Sequence, residues 1–209
     1  MNFVKKQAAL AWKFYQEEVA KIHIWCMVAF VLLCAGGWLV FSRFAQQAQA
    51  VLEGFMASIQ ESGLLDENGG ISPLALLGNN LQASLTAVAM GIVPFVFLPV
   101  ASLVLNSVII GAVLSMAGSL GGMTAGQMVL LGLLPHGIFE IPAITLGIAM
   151  GLYLCRQMNG ALCKRPGTPR IEAVLPYLCR LAVFGLLPLL AAAAVIETYV
   201  TPLLMGLVL

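Results

Sequence analysis

Ile22 to Phe41 reads IHIWCMVAFVLLCAGGWLVF, a run without a single Lys, Arg, Asp or Glu. A helix needs about 20 predominantly apolar residues to cross the hydrocarbon layer of a bilayer. Trp25 and Trp38 stand near the ends of this run, where indole rings favour the membrane interface. The stretch therefore reads as a transmembrane helix, and it sets the class of the whole chain.

The whole 209-residue sequence agrees with it: 61% of the positions are hydrophobic and 9% are charged, whereas a soluble domain carries roughly 25% charge. A water-soluble core has no use for so much apolar surface. The expected fold is all-α, a polytopic helical bundle of about five spans, near 22–41, 81–100, 103–118, 127–155 and 181–205. The leading part of the chain is expected to stay in place as an anchor, because about twenty amphipathic residues precede the first apolar run and no small-residue cleavage site follows it promptly.

Residues 1–21 place Phe3, Val4, Ala8, Ala11, Tyr15 and Val19 mostly at three- and four-residue steps, one face of a helix. Lysines and glutamates fill the rest, with Lys13/Glu17 and Glu17/Lys21 at i,i+4. Such a helix can lie on a membrane surface with its lysines toward anionic headgroups or pack beneath the bundle. The segment 42–78 is rich in glutamine and acid and is expected in water, with a helix from about 44 to 59 broken by Gly63 and by Asn68, Gly69 and Gly70.

Leu81 to Gly118 is too long for one crossing and contains Pro94 and Pro99, so it divides into two spans between Pro94 and Asn106. The small-residue loop 118–126 follows. The next span is expected to break at Pro135 and to carry Pro142 inside it.

Basic residues cluster in the N-terminal segment and in 156–180, which holds Arg156, Lys164, Arg165, Arg170 and Arg180. With five spans both regions share one side, cytoplasmic by the positive-inside rule. The C-terminus and the acidic 42–78 segment then lie outside.

Buried ionisable groups cost on the order of 2.5–3.5 kcal/mol each at a bilayer centre, so His136, Glu140 and Glu197 need partners or a purpose. Asn79, Asn80 and Asn106 join them as polar groups within or beside apolar runs. His136 and Glu140 are one helical turn apart, bracketed by Pro135 and Pro142. Each proline removes a backbone N–H and leaves a carbonyl in search of a donor. The arrangement reads as an internal polar latch that specifies packing, or alternatively as a proton or ion relay. Glu197, nearer the outer end of the last span, reads as a partly hydrated or snorkelling residue.

No catalytic, cofactor or metal site is expected. His23 is far along the sequence from His136, and His-x-x-x-Glu lacks the second histidine of a zinc-protease helix. Five scattered cysteines without a CxxC pair give no disulfide framework, and no basic tract suggests nucleic acid. Membrane lipids are the one partner that composition itself implies. Gly147-x-x-x-Gly151 is a small-xxx-small pattern, usable for internal packing or for a homodimer.

The run LPHGIFEIPA, from Leu134 through His136, Gly137 and Glu140 to Pro142 and Ala143, resembles the signature of the stage II sporulation protein M family of bacterial and archaeal membrane proteins. Asn79 and Asn80 opening the second span, Asn106 with Gly111 after it, and AAAAVIETYVTP from Ala191 to Pro202 fit the same pattern. Ser107 stands where the family usually carries glycine. The resemblance implies a multi-span, non-enzymatic scaffold of the cytoplasmic membrane. The family's namesake acts in engulfment during sporulation, localising a peptidoglycan amidase and a lytic transglycosylase at the cell envelope. Two other readings stay open: a small transporter or channel using His136 and Glu140, and a membrane subunit partnered with a cytoplasmic ATPase through the basic loop.

Overall fold

The computed structural model describes residues 3–61 and 72–206. Seven helices are found among them and no strand: α1 Phe3–Phe41, α2 Ala45–Glu61, α3 Pro73–Met90, α4 Pro99–Ser115, the short α5 Ala117–Gly121, α6 Ala125–Leu162 and α7 Ile171–Met205. Of these, α1, α6 and α7 are long and apolar enough to cross a membrane, and α4 is a shorter apolar helix. The expected breaks at Gly63 and at Asn68 to Gly70 lie outside the described residues.

Helix α6 is the axis of the bundle. In its most apolar stretch 61% of residues are buried, against 17% in α1 and 28% in α7. Helices α1, α3 and α7 all pack on it. The outward faces of α1 and α7 leave Trp25, Leu32, Leu39, Val183 and Leu203 exposed, a surface that water would penalise by about 25 cal/mol per Å2 and that lipid does not.

Close backbone approach is what the small residues supply. The glycines of the Gly147-x-x-x-Gly151 pattern face Ser84 and Ala87 of α3, so the motif is used within the chain. Gly111 meets the backbone of Gly37 and Trp38 on α1, where an added Cβ would stand 2.9 Å from backbone atoms. Ser107, one turn earlier, is fully buried and returns its hydroxyl to the Leu103 carbonyl at 2.8 Å. The hydroxyl at this crowded position is thus satisfied within its own helix.

Several boundaries differ from the sequence reading. The N-terminal amphipathic segment is continuous with the first span as α1 and packs against the start of α7, with Phe14 stacked on Tyr177 at 5.3 Å and Arg180 Nε donating to Gln7 Oε1 at 2.6 Å. Aromatic contact within the chain holds it there. Helix α3 begins at Pro73, where proline's missing N–H is harmless in the first turn, and so takes in the last residues assigned to the outer segment. The link to α4 is the non-helical stretch 91–98. The basic region 156–180 is mostly helical, leaving a connection of only 163–170 between α6 and α7.

Proline does not break α6 or α7. A π-helical turn, Met128–Leu133, precedes Pro135, and two more, Ala182–Leu186 and Ile196–Val200, precede Pro188 and Pro202. Proline deprives the carbonyl four residues earlier of its donor. Just before each of these prolines the helix takes the wider register, in which an N–H bonds the carbonyl five residues back, as in Leu134 N–H to Val129 O, Leu187 N–H to Ala182 O and Thr201 N–H to Ile196 O.

The helix ends sort into two groups. At one end Arg156 pairs with Glu18 at 3.7 Å, and Asn159 Oδ1 accepts the Phe95 N–H at 2.8 Å. At the other end a Cβ on Gly132 would lie 3.3 Å from the Met205 sulfur, and α2 leans on α4.

Candidate functional site

The polar side chains singled out in the sequence converge between α3, α6 and α7. Asn80 Nδ2 donates to Glu140 Oε1 at 3.1 Å. His136 Nε2 lies 3.5 Å from Glu140 Oε2, the pair meeting across one turn of α6. His136 Nδ1 is 3.3 Å from Thr201 Oγ1 on α7. Glu197 comes in from α7, so that one ligand atom each of His136, Glu140 and Glu197 all lie within 4.8 Å of one another. Three ionisable groups from α6 and α7 thus gather in one place, with Asn80 of α3 bonded to one of them.

Local structure explains the placement. Glu197 sits in the π turn Ile196–Val200 and Thr201 directly follows it, while His136 follows the π turn Met128–Leu133. Each π turn rotates the residues after it relative to a regular helix, and π-bulges are frequent at functional sites. Glu197 is only partly exposed and makes no hydrogen bond or ion pair among the described residues. The expectation that it snorkels as an isolated side chain is replaced by its place beside Glu140.

Two cavities adjoin the cluster. One, of about 240 Å3, is lined by Asn79, Asn80, Ser84, Ser102, Asn106, Glu140 and Glu197. The other, of about 400 Å3, is more apolar and reaches His136, Glu140, Glu197 and Thr201 between Met128 and Met205. Phe55 of α2 contributes to both. Asn79, Asn80 and Asn106 therefore lie within helices on the cavity wall, not at the openings of spans. Asn106 gives one amide hydrogen to the Ser102 carbonyl at 2.8 Å.

The carbonyl of Pro142 itself takes a partner from another helix. His23, buried, has its Nε2 3.0 Å from the Pro142 carbonyl and 3.1 Å from Thr145 Oγ1, with Tyr15 Oη 3.0 Å from its Nδ1. A carbonyl only accepts, so Nε2 carries the proton and Nδ1 accepts from Tyr15. His23 thus bonds α1 to α6, a role that its position at the opening of an apolar run did not reveal. Gly137 faces only Ile141 and Leu133 of its own helix and brings no neighbour close.

The residues of this cluster all fall within one match: the family model described as Stage II sporulation protein M covers residues 26–202. The chain belongs to the stage II sporulation protein M family. No curated protein and no solved structure matches the chain. The stage II sporulation protein M match takes in α2, α3, α4 and α6 entire and ends at Pro202, just after Glu197 and Thr201. The three long apolar helices and this membership together make it a membrane protein.

Proposed function

We propose that the protein is a non-enzymatic membrane scaffold that anchors peptidoglycan-remodelling partners of the cell envelope, such as an amidase and a lytic transglycosylase. The observation that carries this reading is α2. Its side chains are exposed or half-exposed apart from buried Ala48, and it presents Gln46, Gln47, Gln49, Glu53 and Gln60 along a helix held on α4. A polar helix fixed to the bundle at one end is a ready docking element.

In this reading the chain crosses the membrane five times, by α1, α3, α4, α6 and α7, with its N-terminus cytoplasmic and its C-terminus outside. Helices of 17–18 residues, like α3 and α4, span about 26 Å, close to the hydrocarbon thickness of about 30 Å. The low apolarity of α3 reflects Asn79, Asn80 and Gln82, two of which line a cavity. The grouping of Arg156, Glu18 and the 91–98 and 163–170 connections at one end supports the alternation. The His136–Glu140–Asn80 cluster then serves as the latch that holds the platform's helices in register.

The test is co-purification from membranes after in-cell crosslinking. An amidase or transglycosylase retained by the wild type and lost when Gln46, Gln49, Glu53 and Gln60 are all replaced by Ala, with the fold intact, supports the proposal. Equal recovery with the α2 variant, or no such enzyme with either, sinks it.

A further inference from the structure

The polar cluster has a charge problem that its hydrogen bonds do not solve. Glu140 and Glu197 are two carboxylates in mutual reach, yet only Asn80 donates to either among the described residues. Thr201 Oγ1 lies 3.3 Å from His136 Nδ1; when Nδ1 gives its proton to that hydroxyl, the ring takes the arrangement in which a histidine ligand is oriented by an oxygen on its other nitrogen. The bare Nε2 then faces Glu140 Oε2 at 3.5 Å. The space between them is filled by the Nε2 proton in the other tautomer, or by a cation that both atoms ligate.

A separate observation points to the same space. Ser84, only 2% exposed, leaves its hydroxyl without a partner on the wall of the cavity that contains Glu140 and Glu197. We propose that His136, Glu140 and Glu197 bind a divalent transition-metal ion, zinc(II) being the ion best matched to one imidazole and two carboxylates. Zinc takes nitrogen and oxygen ligands at about 2.0–2.2 Å, which puts neighbouring ligand atoms some 3–3.5 Å apart, and the His136–Glu140 separation already matches. Glu197, with a carboxylate oxygen within 4.8 Å of both, closes on the same ion by a side-chain adjustment. Calcium and magnesium prefer all-oxygen shells and are disfavoured by the imidazole. Asn80 holds the Glu140 carboxylate in place, and the cavity supplies a route in and room for a water ligand.

The full chain is purified in detergent with exposed Cys163 and Cys179 alkylated, equilibrated with Zn2+, and freed of unbound metal before elemental analysis. The expected result is one zinc per chain, a chelator-reversible rise in Tm, and, with Co2+ as substitute, visible d–d bands without thiolate charge transfer. Glu197→Gln, which removes a ligand that bonds nothing else, is expected to weaken binding at least tenfold while the metal-free Tm holds; Glu53→Gln on α2 keeps full binding. Absence of stoichiometric zinc in the wild type, equal binding by Glu197→Gln, or a thiolate spectrum overturns the proposal. Should Glu197→Gln fail to fold, the cobalt spectrum and stoichiometry of the wild type decide alone. None of these readouts depends on an envelope partner.

Discussion

Gly111→Ala and Gly36→Ala make opposite demands on the same helix pair. A Cβ at position 111 would stand 2.9 Å from the Gly37 carbonyl carbon and Cα and from the Trp38 nitrogen, whereas one at position 36 meets nothing within 4 Å. Ordinary carbon contacts lie near 3.5–4.0 Å, so α1 and α4 must part by roughly 0.6–1 Å. A gap of that size forfeits about a quarter to a half of each contact worth ~0.1–0.2 kcal/mol. Over on the order of 20 facing atom pairs the loss is about 1 kcal/mol, in line with the ~1–3 kcal/mol of overpacked cores. Gly36→Ala pays no such cost and gains up to about 1 kcal/mol of helix propensity. The expected difference between the variants is therefore about 2 kcal/mol, Gly111→Ala being the less stable. Reversible unfolding by SDS in mixed micelles measures it. Equal stability of the two, or the opposite order, would show that α1 and α4 do not meet along this face.

Asn159→Ala removes the acceptor of the Phe95 N–H, which holds a residue at a φ of 66°. Left-handed backbone costs a non-glycine residue roughly 1–2 kcal/mol, so the 91–98 connection should exchange its amides at least tenfold faster, read by hydrogen exchange, while α6 stays protected. Exposed Cys163 should react with an impermeant maleimide only after the membrane is opened, and Gln49→Cys in intact cells; labelling from one side would refute five crossings. Glu140→Gln should leave proteoliposome permeability to small ions unchanged; a flux in the wild type that vanishes in this variant would favour a transporter over a scaffold.

The membrane class and most helix positions were legible because hydropathy is a direct record of solvent. The polar composition of 42–78 and its breakers also located α2 to within a few residues, from about 44–59 expected to Ala45–Glu61 observed. Polar residues inside spans misled the boundaries: Asn79 and Asn80 read as a span opening, yet they lie mid-helix facing a cavity, since a polar group turned inward does not end a helix. Pro135 read as a break, because the sequence shows the lost N–H and not the π register in which the helix runs up to it. The His136–Glu140 pair was visible from its four-residue spacing. Thr201, Phe55 and the role of His23 were not, as each comes from a distant helix, and only packing decides which turn of α1, α2 or α7 faces α6. The repeated placement of π turns one residue before Leu134-Pro135, Leu187-Pro188 and Thr201-Pro202 was a signal available in retrospect.

The central claim is that Asn80 on α3 and Glu140 on α6 are coupled inside the bundle, and a double-mutant cycle measures that coupling directly. Stabilities of the wild type, Asn80→Ala, Glu140→Ala and the double variant are compared by SDS unfolding. Side-chain hydrogen bonds between membrane helices contribute about 0.6 kcal/mol on average and up to about 1.7, and a carboxylate acceptor places this pair at the upper end. A coupling energy of about 1 kcal/mol or more is predicted. Strictly additive losses would contradict a latch at this site.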